Sequence, residues 1–178
     1  MPILGLGHDV VDVAAFSEQL GEPGGGMRRL FSARELRQAS MRARVKHDGE
    51  AVHLAARWAG KEAVLKAWCE ALGDGPAPYT LDDFPWASIE ILDDSQGRPQ
   101  VALSTPVQRI LEDSLSPFGD NAEPDLGATV ASRSASPDDD AANKAMSSQS
   151  AELLTWHISL SHDGPIASAV VILEALKH

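Results

Sequence analysis

The stretch from about Glu50 to Leu72 most restricts what this chain can become. It opens after Asp48-Gly49, which breaks the preceding segment, and closes at Gly73, a natural stop after a last helical turn. Between them Leu54, Trp58, Leu65, Trp68 and Leu72 recur close to helical spacing. A helix this long must be covered by the rest of the chain. Around it the pattern alternates with period two: Ile3–Leu6, Ser88–Leu92, Gln100–Leu103, Leu154–Ser161 and Ile166–Leu173 read as strands. The spacing predicts a hairpin turning through Asp93–Pro99 and a turn at His162–Pro165. Phe16–Leu20 reads as a short helix or a turn, and shorter helices are expected at Ala33–Val45 and Thr105–Leu115, the last with Pro106 in its first turn. Ser32 followed by Glu35 is a capping box. Strands that come as hairpins, with helices kept apart from them, predict an α+β fold with an antiparallel sheet on a long central helix rather than a doubly wound sheet.

With 178 residues the chain is expected to form one domain, 1–178. Within it, Ser116–Ser150 is rich in Ser, Ala, Asp, Pro and Gly and poor in large apolar residues, which predicts a disordered insertion. The single cysteine, Cys69, excludes an intrachain disulfide and a cysteine-based zinc site. No apolar run approaches the roughly 20 residues that span a bilayer. The start, Met1-Pro2-Ile3-Leu4-Gly5, lacks the basic stretch and cleavage site of a secretory leader. A reducing cytoplasm is therefore expected.

Charge is unevenly placed. Fifteen Lys and Arg stand against 26 Asp and Glu, a net charge of −11, which argues against nucleic-acid and acidic-membrane partners. Yet Arg28, Arg29, Arg34, Arg37, Arg42, Arg44 and Lys46 face only Glu35 between residues 27 and 46, seven bases to one acid, or +6. Such a basic patch on an acidic body is either a solvated helix or a surface that steers an acidic partner.

Three places offer chemistry. Gly5-Leu6-Gly7-His8-Asp9 lacks the third glycine of a dinucleotide loop, and reads instead as glycines that turn the chain to present Asp9 at a strand end. On the long helix, Glu62 and Lys66 are one turn apart, as are Arg57 and Lys61, among the small residues Ala59, Gly60, Ala63 and Ala67. Gly60 in mid-helix costs about 1 kcal/mol relative to Ala, so a packing or binding reason is expected for it. In His157-Ile158-Ser159-Leu160-Ser161-His162-Asp163 the polar side of a strand carries an imidazole and two hydroxyls. Ser161, His162 and Asp163 are consecutive, and consecutive side chains point apart, so they are no catalytic triad.

Together these segments resemble the holo-[acyl-carrier-protein] synthases, the stand-alone bacterial 4′-phosphopantetheinyl transferases. The likeness rests on Gly5-Leu6-Gly7-His8-Asp9-Val10-Val11, Phe31-Ser32-Ala33-Arg34-Glu35-Leu36, Arg57-Trp58-Ala59-Gly60-Lys61-Glu62-Ala63 with Lys66-Ala67, Gly97-Arg98-Pro99, and His157 to His162. It covers about residues 1–115 and 153–176. The resemblance implies the 4′-phosphopantetheinyl transferase-like fold. It also implies transfer of 4′-phosphopantetheine from coenzyme A to a serine of apo acyl carrier protein, releasing adenosine 3′,5′-bisphosphate. It implies Mg²⁺ as cofactor, coenzyme A as co-substrate, and a homotrimer with active sites between subunits. The carrier belongs to fatty-acid synthesis or another acyl assembly line.

By the same resemblance Asp9 and Glu62 are the metal ligands, and Lys66 lies beside the phosphates. Arg57, Gly97, Pro99, His157 and Ser159 hold coenzyme A, partly across a subunit boundary. Glu62, or a metal-bound water that it orients, is the expected base. Acyl carrier proteins being acidic, Arg28, Arg29, Arg34, Arg37, Arg42 and Arg44 become the expected docking face. This sequence departs from the family pattern at His8, where many members carry an apolar residue, and in the Ser116–Ser150 insertion. Two other readings of the same residues are an Mg²⁺-dependent nucleotide pyrophosphate hydrolase, which needs no carrier protein, and a non-catalytic module binding acidic proteins, which needs neither Asp9 nor Glu62.

Overall fold

The first strand, β1 (Ile3–Asp12), runs straight through the segment expected to turn. In the computed structural model, which describes residues 2–116 and 153–176, Gly5, Gly7 and Asp9 face inward while Leu6, His8 and Val10 face outward. The two glycines therefore serve close approach and not a turn. A Cβ on Gly5 would collide with the carbonyl of Ala67, and one on Gly7 with the carbonyl of Ala63. β1 is thus laid backbone to backbone on the central helix α3 (Glu50–Leu72).

The remaining elements follow the expected order. After β1 come α1 (Val13–Gly21), α2 (Ala33–Lys46) and α3. Next come the hairpin β2 (Ile89–Asp93) and β3 (Pro99–Leu103), α4 (Thr105–Leu115), and the long pair β4 (Leu153–Asp163) and β5 (Ile166–Leu176). β4, β5 and β1 form one antiparallel sheet in the order β1-β5-β4. Its central strand turns Ala167, Ala169, Val171, Leu173 and Ala175 toward the core, all buried. β2 and β3 form a second sheet. β4 and β5 are longer than the alternation predicted, so only Gly164-Pro165 remains as the turn. The fold is α+β with an antiparallel sheet on a long central helix, as read from the sequence. Of the insertion expected at 116–150, only Ser116 is described; the rest lies outside the described residues. No helix of the described residues is long and apolar enough to cross a membrane.

Gly60 has its packing reason. A Cβ there would stand 3.0 Å from Ile91 Cγ1 and 3.3 Å from Ile158 Cδ1, so the glycine lets β2 and β4 close on α3. Lys61, one turn after Arg57, is fully buried. Its ammonium lies 2.9 Å from Glu35, also fully buried, and donates to the carbonyls of Trp86 and Ile89. Glu35 accepts in addition from the Ser32 and Ile91 amides, at 2.8 and 3.0 Å. The capping box of α2 is therefore also the knot joining α2, α3 and β2. Burial draws the Lys61 ammonium down from its ordinary value, and the Glu35 charge opposes that shift. Either charge left alone there would be strongly destabilising.

The glycine contact yields a direct expectation. Gly7→Ala should destabilise the protein by roughly 3 kcal/mol, since neither backbone can give way without moving a whole element. Leu6→Ala, on the exposed side of the same strand, should cost far less. Urea unfolding of the two variants checks this.

Candidate active site

Because β1 lies so close to α3, its next inward residue meets the helix's polar face. Asp9 is nearly buried, and its Oδ1 accepts from Lys66 Nζ at 2.8 Å. The same ammonium donates to the carbonyl of His8 at 3.0 Å. One turn further along, Glu70 Oε2 accepts from the Leu6 amide at 2.6 Å. Glu62, Lys66 and Glu70 recur every fourth residue, so one stripe of α3 borders the free edge of β1. Glu62 completes the cluster, close enough for the Asp9 carboxyl to act on its charge.

The electrostatics of this cluster are out of balance. Burial and the neighbouring Asp9 carboxylate raise the Glu62 pKa from 4.5 to about 7, with Lys66 pulling it back. Asp9 Oδ2 is buried and has no hydrogen-bond partner. Two carboxylates converge beside one ammonium, and Asp9 Oδ2 accepts no hydrogen bond. That donor set suits a hard divalent cation such as Mg²⁺, which takes one or two carboxylates and completes its shell with water and phosphate oxygens. Among the described residues no group of three or more His, Cys, Asp or Glu gathers, so Asp9 and Glu62 would hold the ion as a pair.

A second group lies on another side of α3. Arg57 is five residues before Glu62, which turns it about 140° around the helix. Its guanidinium is buried, donating to the His53 carbonyl at 3.1 Å and to Asp93 Oδ2 at 2.9 Å, while its Nε is buried without a partner. Burial lowers its pKa, and the charges of Asp93 and Glu35 oppose this. Arg57 opens into a cleft of about 190 Å³ shared with Arg42, Lys46, His53, Gly97 and Pro99. Gly97 has φ +79°, and its carbonyl accepts from Arg42 Nη2 at 3.1 Å. The sequence reading missed His53 and Lys46 here. A signal was present, since Arg42 and Lys46 on α2 and His53 and Arg57 on α3 are each one helical turn apart.

Pro99 also borders a wider depression of about 720 Å³, lined by Arg98, Gln108, Trp156 and His157. His157 Nε2 pairs with Glu174 Oε2 at 2.8 Å. His157 and Ser159 pair with Ile172 and Val170, on the sheet face turned away from α3 and on the strand farthest from β1. Thus the structure brings together Asp9, Glu62 and Lys66, and separately Arg57, Gly97 and Pro99. It does not bring His157 or Ser159 to the carboxylates of the same chain. The His8 side chain points away from Asp9, on the outer face.

Residues 5–122, which include both clusters on α3, match the family model of the 4′-phosphopantetheinyl transferase superfamily. The chain belongs to this superfamily. It is 51% identical over 175 residues to a holo-[acyl-carrier-protein] synthase of Bifidobacterium animalis subsp. lactis, covering 97% of this chain and 98% of the relative. It is 53% identical over 179 residues to the protein of the same name from Bifidobacterium adolescentis, covering 97% and 99%. Its fold is similar to an ACPS–CoA complex from Chronobacterium ammoniagenes, with TM-score 0.68, 29% identity, and 97% and 98% of the two chains covered. The acyl carrier protein synthase of Mycobacterium tuberculosis is also similar, with TM-score 0.59, 30% identity, and 98% and 100% covered.

The raised Glu62 pKa has a consequence for the metal-free protein. Folding binds the Glu62 proton more tightly than the unfolded chain does. Its contribution to stability is complete below about pH 4.5 and is lost as pH rises through about 7. In EDTA, the wild type should therefore lose stability relative to Glu62→Gln between pH 5 and 8. Urea midpoints of both proteins across that range measure it.

Proposed function

We propose that this chain, as a single transferase domain, moves the 4′-phosphopantetheine group of coenzyme A onto a serine of apo acyl carrier protein and releases adenosine 3′,5′-bisphosphate. The observation that carries this reading is the convergence of Asp9, Glu62 and Lys66 where β1 meets α3. The relatives named holo-[acyl-carrier-protein] synthase and the CoA complex of similar fold support it.

In this reading the serine oxygen bonds to the phosphorus that carries the pantetheine arm, and the bond from that phosphorus to the bridging diphosphate oxygen breaks. Asp9 and Glu62 would hold Mg²⁺, which when bound would offset the diphosphate charge and make the phosphorus a better acceptor. Lys66 is half-exposed and tethered through Asp9, so its ammonium is placed to meet negative charge gathering on the leaving phosphate. Glu62 takes the serine proton. Arg57, Arg42 and Lys46 supply a cationic cleft for the remaining phosphate of coenzyme A, with Gly97 and Pro99 shaping its wall.

The protein works in the cytoplasm as a homotrimer with active sites between subunits. Two features support the assembly. Leu6, Val10 and Val170 stand 49%, 52% and 38% exposed together on the outer sheet face, an apolar surface that asks for a cover. The residues expected to hold coenzyme A are divided within one chain, and a neighbour bringing His157 and Ser159 to the Asp9 cluster would unite them.

Mass spectrometry of an apo carrier protein incubated with this protein, coenzyme A and Mg²⁺ should show one added phosphopantetheine. EDTA should abolish the gain, and Asp9→Asn or Glu62→Gln should slow it at least about a hundredfold. Phosphopantetheine released without any carrier would instead identify a hydrolase. Sedimentation equilibrium should give three times the chain mass, and Val170→Asp should dissociate the assembly.

A further inference from the structure

The carboxylate of Asp93 stands where two guanidinium groups meet. Its Oδ2 accepts from Arg57 Nη2 at 2.9 Å and from Arg42 Nε at 3.1 Å, so one oxygen joins an arginine of α3 to an arginine of α2. Each arginine has a further tether: Arg57 Nη1 donates to the His53 carbonyl, and Arg42 Nη2 to the Gly97 carbonyl. A Cβ at position 97 would stand 2.8 Å from Arg42 Nη2, so the glycine leaves room for that guanidinium. Asp93 is itself held in place. It is the last residue of β2, paired with Pro99. The Gln38 side chain of α2 clamps its backbone, donating to the Asp93 carbonyl at 3.0 Å and accepting from the Asp93 amide at 2.8 Å. A fixed anion is out of place in a cleft that receives a phosphate. Arg42, Lys46 and Arg57 line this one beside a single carboxylate, and on charge alone that carboxylate opposes the phosphate.

We propose that Asp93 is a positioning residue that holds Arg42 and Arg57 aligned toward the 3′-phosphate of coenzyme A. The inference rests on the transferase reading, in which this cleft seats that phosphate, and adds to it a residue that sets the coenzyme's specificity. Two guanidinium groups drawn to one point repel each other. Burial already disfavours the Arg57 charge, and Arg42 adds to that; Asp93 opposes both. Without the carboxylate, Arg42, which is only partly buried, would turn out toward water. The cleft would gain net positive charge and lose its geometry. Hydrogen bonds from a guanidinium to a phosphate depend on orientation, whereas one unit of charge in an open cleft is weakened by solvent and salt. Alignment therefore outweighs the repulsion that Asp93 exerts on the phosphate.

Calorimetric titration of the full chain with coenzyme A, and with dephospho-coenzyme A, which lacks only that phosphate, tests the assignment. The wild type should bind coenzyme A the more tightly. Asp93→Asn should weaken coenzyme A roughly tenfold and leave dephospho-coenzyme A unchanged. Asp93→Glu keeps a charge beside Arg57, and with it the fold, but sets the carboxylate one methylene further out; coenzyme A should weaken roughly threefold. A purely structural role for Asp93 would weaken both ligands alike and overturn the proposal. So would an unchanged ratio of the two affinities in either variant, or tighter binding of coenzyme A by Asp93→Asn; all of these leave the transferase reading standing. A wild type that binds the two ligands equally overturns the phosphate cleft and the role of Asp93 together. A wild type that distinguishes them but modifies no carrier protein overturns the transferase reading alone.

Discussion

The structure depends on a backbone contact with no side chain in it. Gly5 and Gly7 allow β1 to rest on the Ala67 and Ala63 carbonyls of α3, and the placement of the Asp9 cluster follows from that contact. It puts Asp9 one inward step beyond Gly7, level with Glu62 and Lys66. Larger side chains would hold strand and helix apart at ordinary sheet-on-helix distance, and the two carboxyls would no longer share a site. The tolerance of such a cluster is a fraction of an ångström, and rigid backbone meets it better than flexible side chains do.

α3 serves three neighbours from one cylinder. The side bearing Gly60 admits the hairpin and β4. Arg57 and Lys61 engage the hairpin and α2 through Asp93 and Glu35. The side bearing Glu62, Lys66 and Glu70 borders β1. A helix charged on so many sides would ordinarily be a surface helix. Here the burial of Lys61 is compensated by an equally buried carboxylate and two carbonyls, so the charge is retained in the core without an unmet partner.

What the sequence disclosed follows from the range of the interactions. The extent of α3, the Ser32–Glu35 capping box, the Pro106 start of α4 and the hairpin with Gly97 at positive φ are set by neighbours a few residues away, and each was legible. The Gly5–Asp9 segment was misjudged because glycine has two uses, and only the distant Ala63 and Ala67 decide between turn and close packing. The burial of Lys61 was illegible for a similar reason, since its partner Glu35 lies 26 residues earlier and already had a local role as a cap. The Asp9, Glu62 and Lys66 cluster was reached through family resemblance and not through spacing, because nothing local ties residue 9 to residue 62. The cleft at Arg57 lay half visible, since helical periodicity pairs Arg42 with Lys46 and His53 with Arg57 without telling that the two helices turn those pairs toward each other.

The stripe of Glu62, Lys66 and Glu70 has a further effect. β1 is an edge strand, and its outward-pointing amide and carbonyl groups form a template on which another chain could add a strand. Glu70 occupies the Leu6 amide and Lys66 the His8 carbonyl, so the template is already filled from within. The polar stripe of α3 therefore also acts as a guard against cross-strand aggregation, and replacing Glu70 or Lys66 would uncover strand groups that a second chain could pair with.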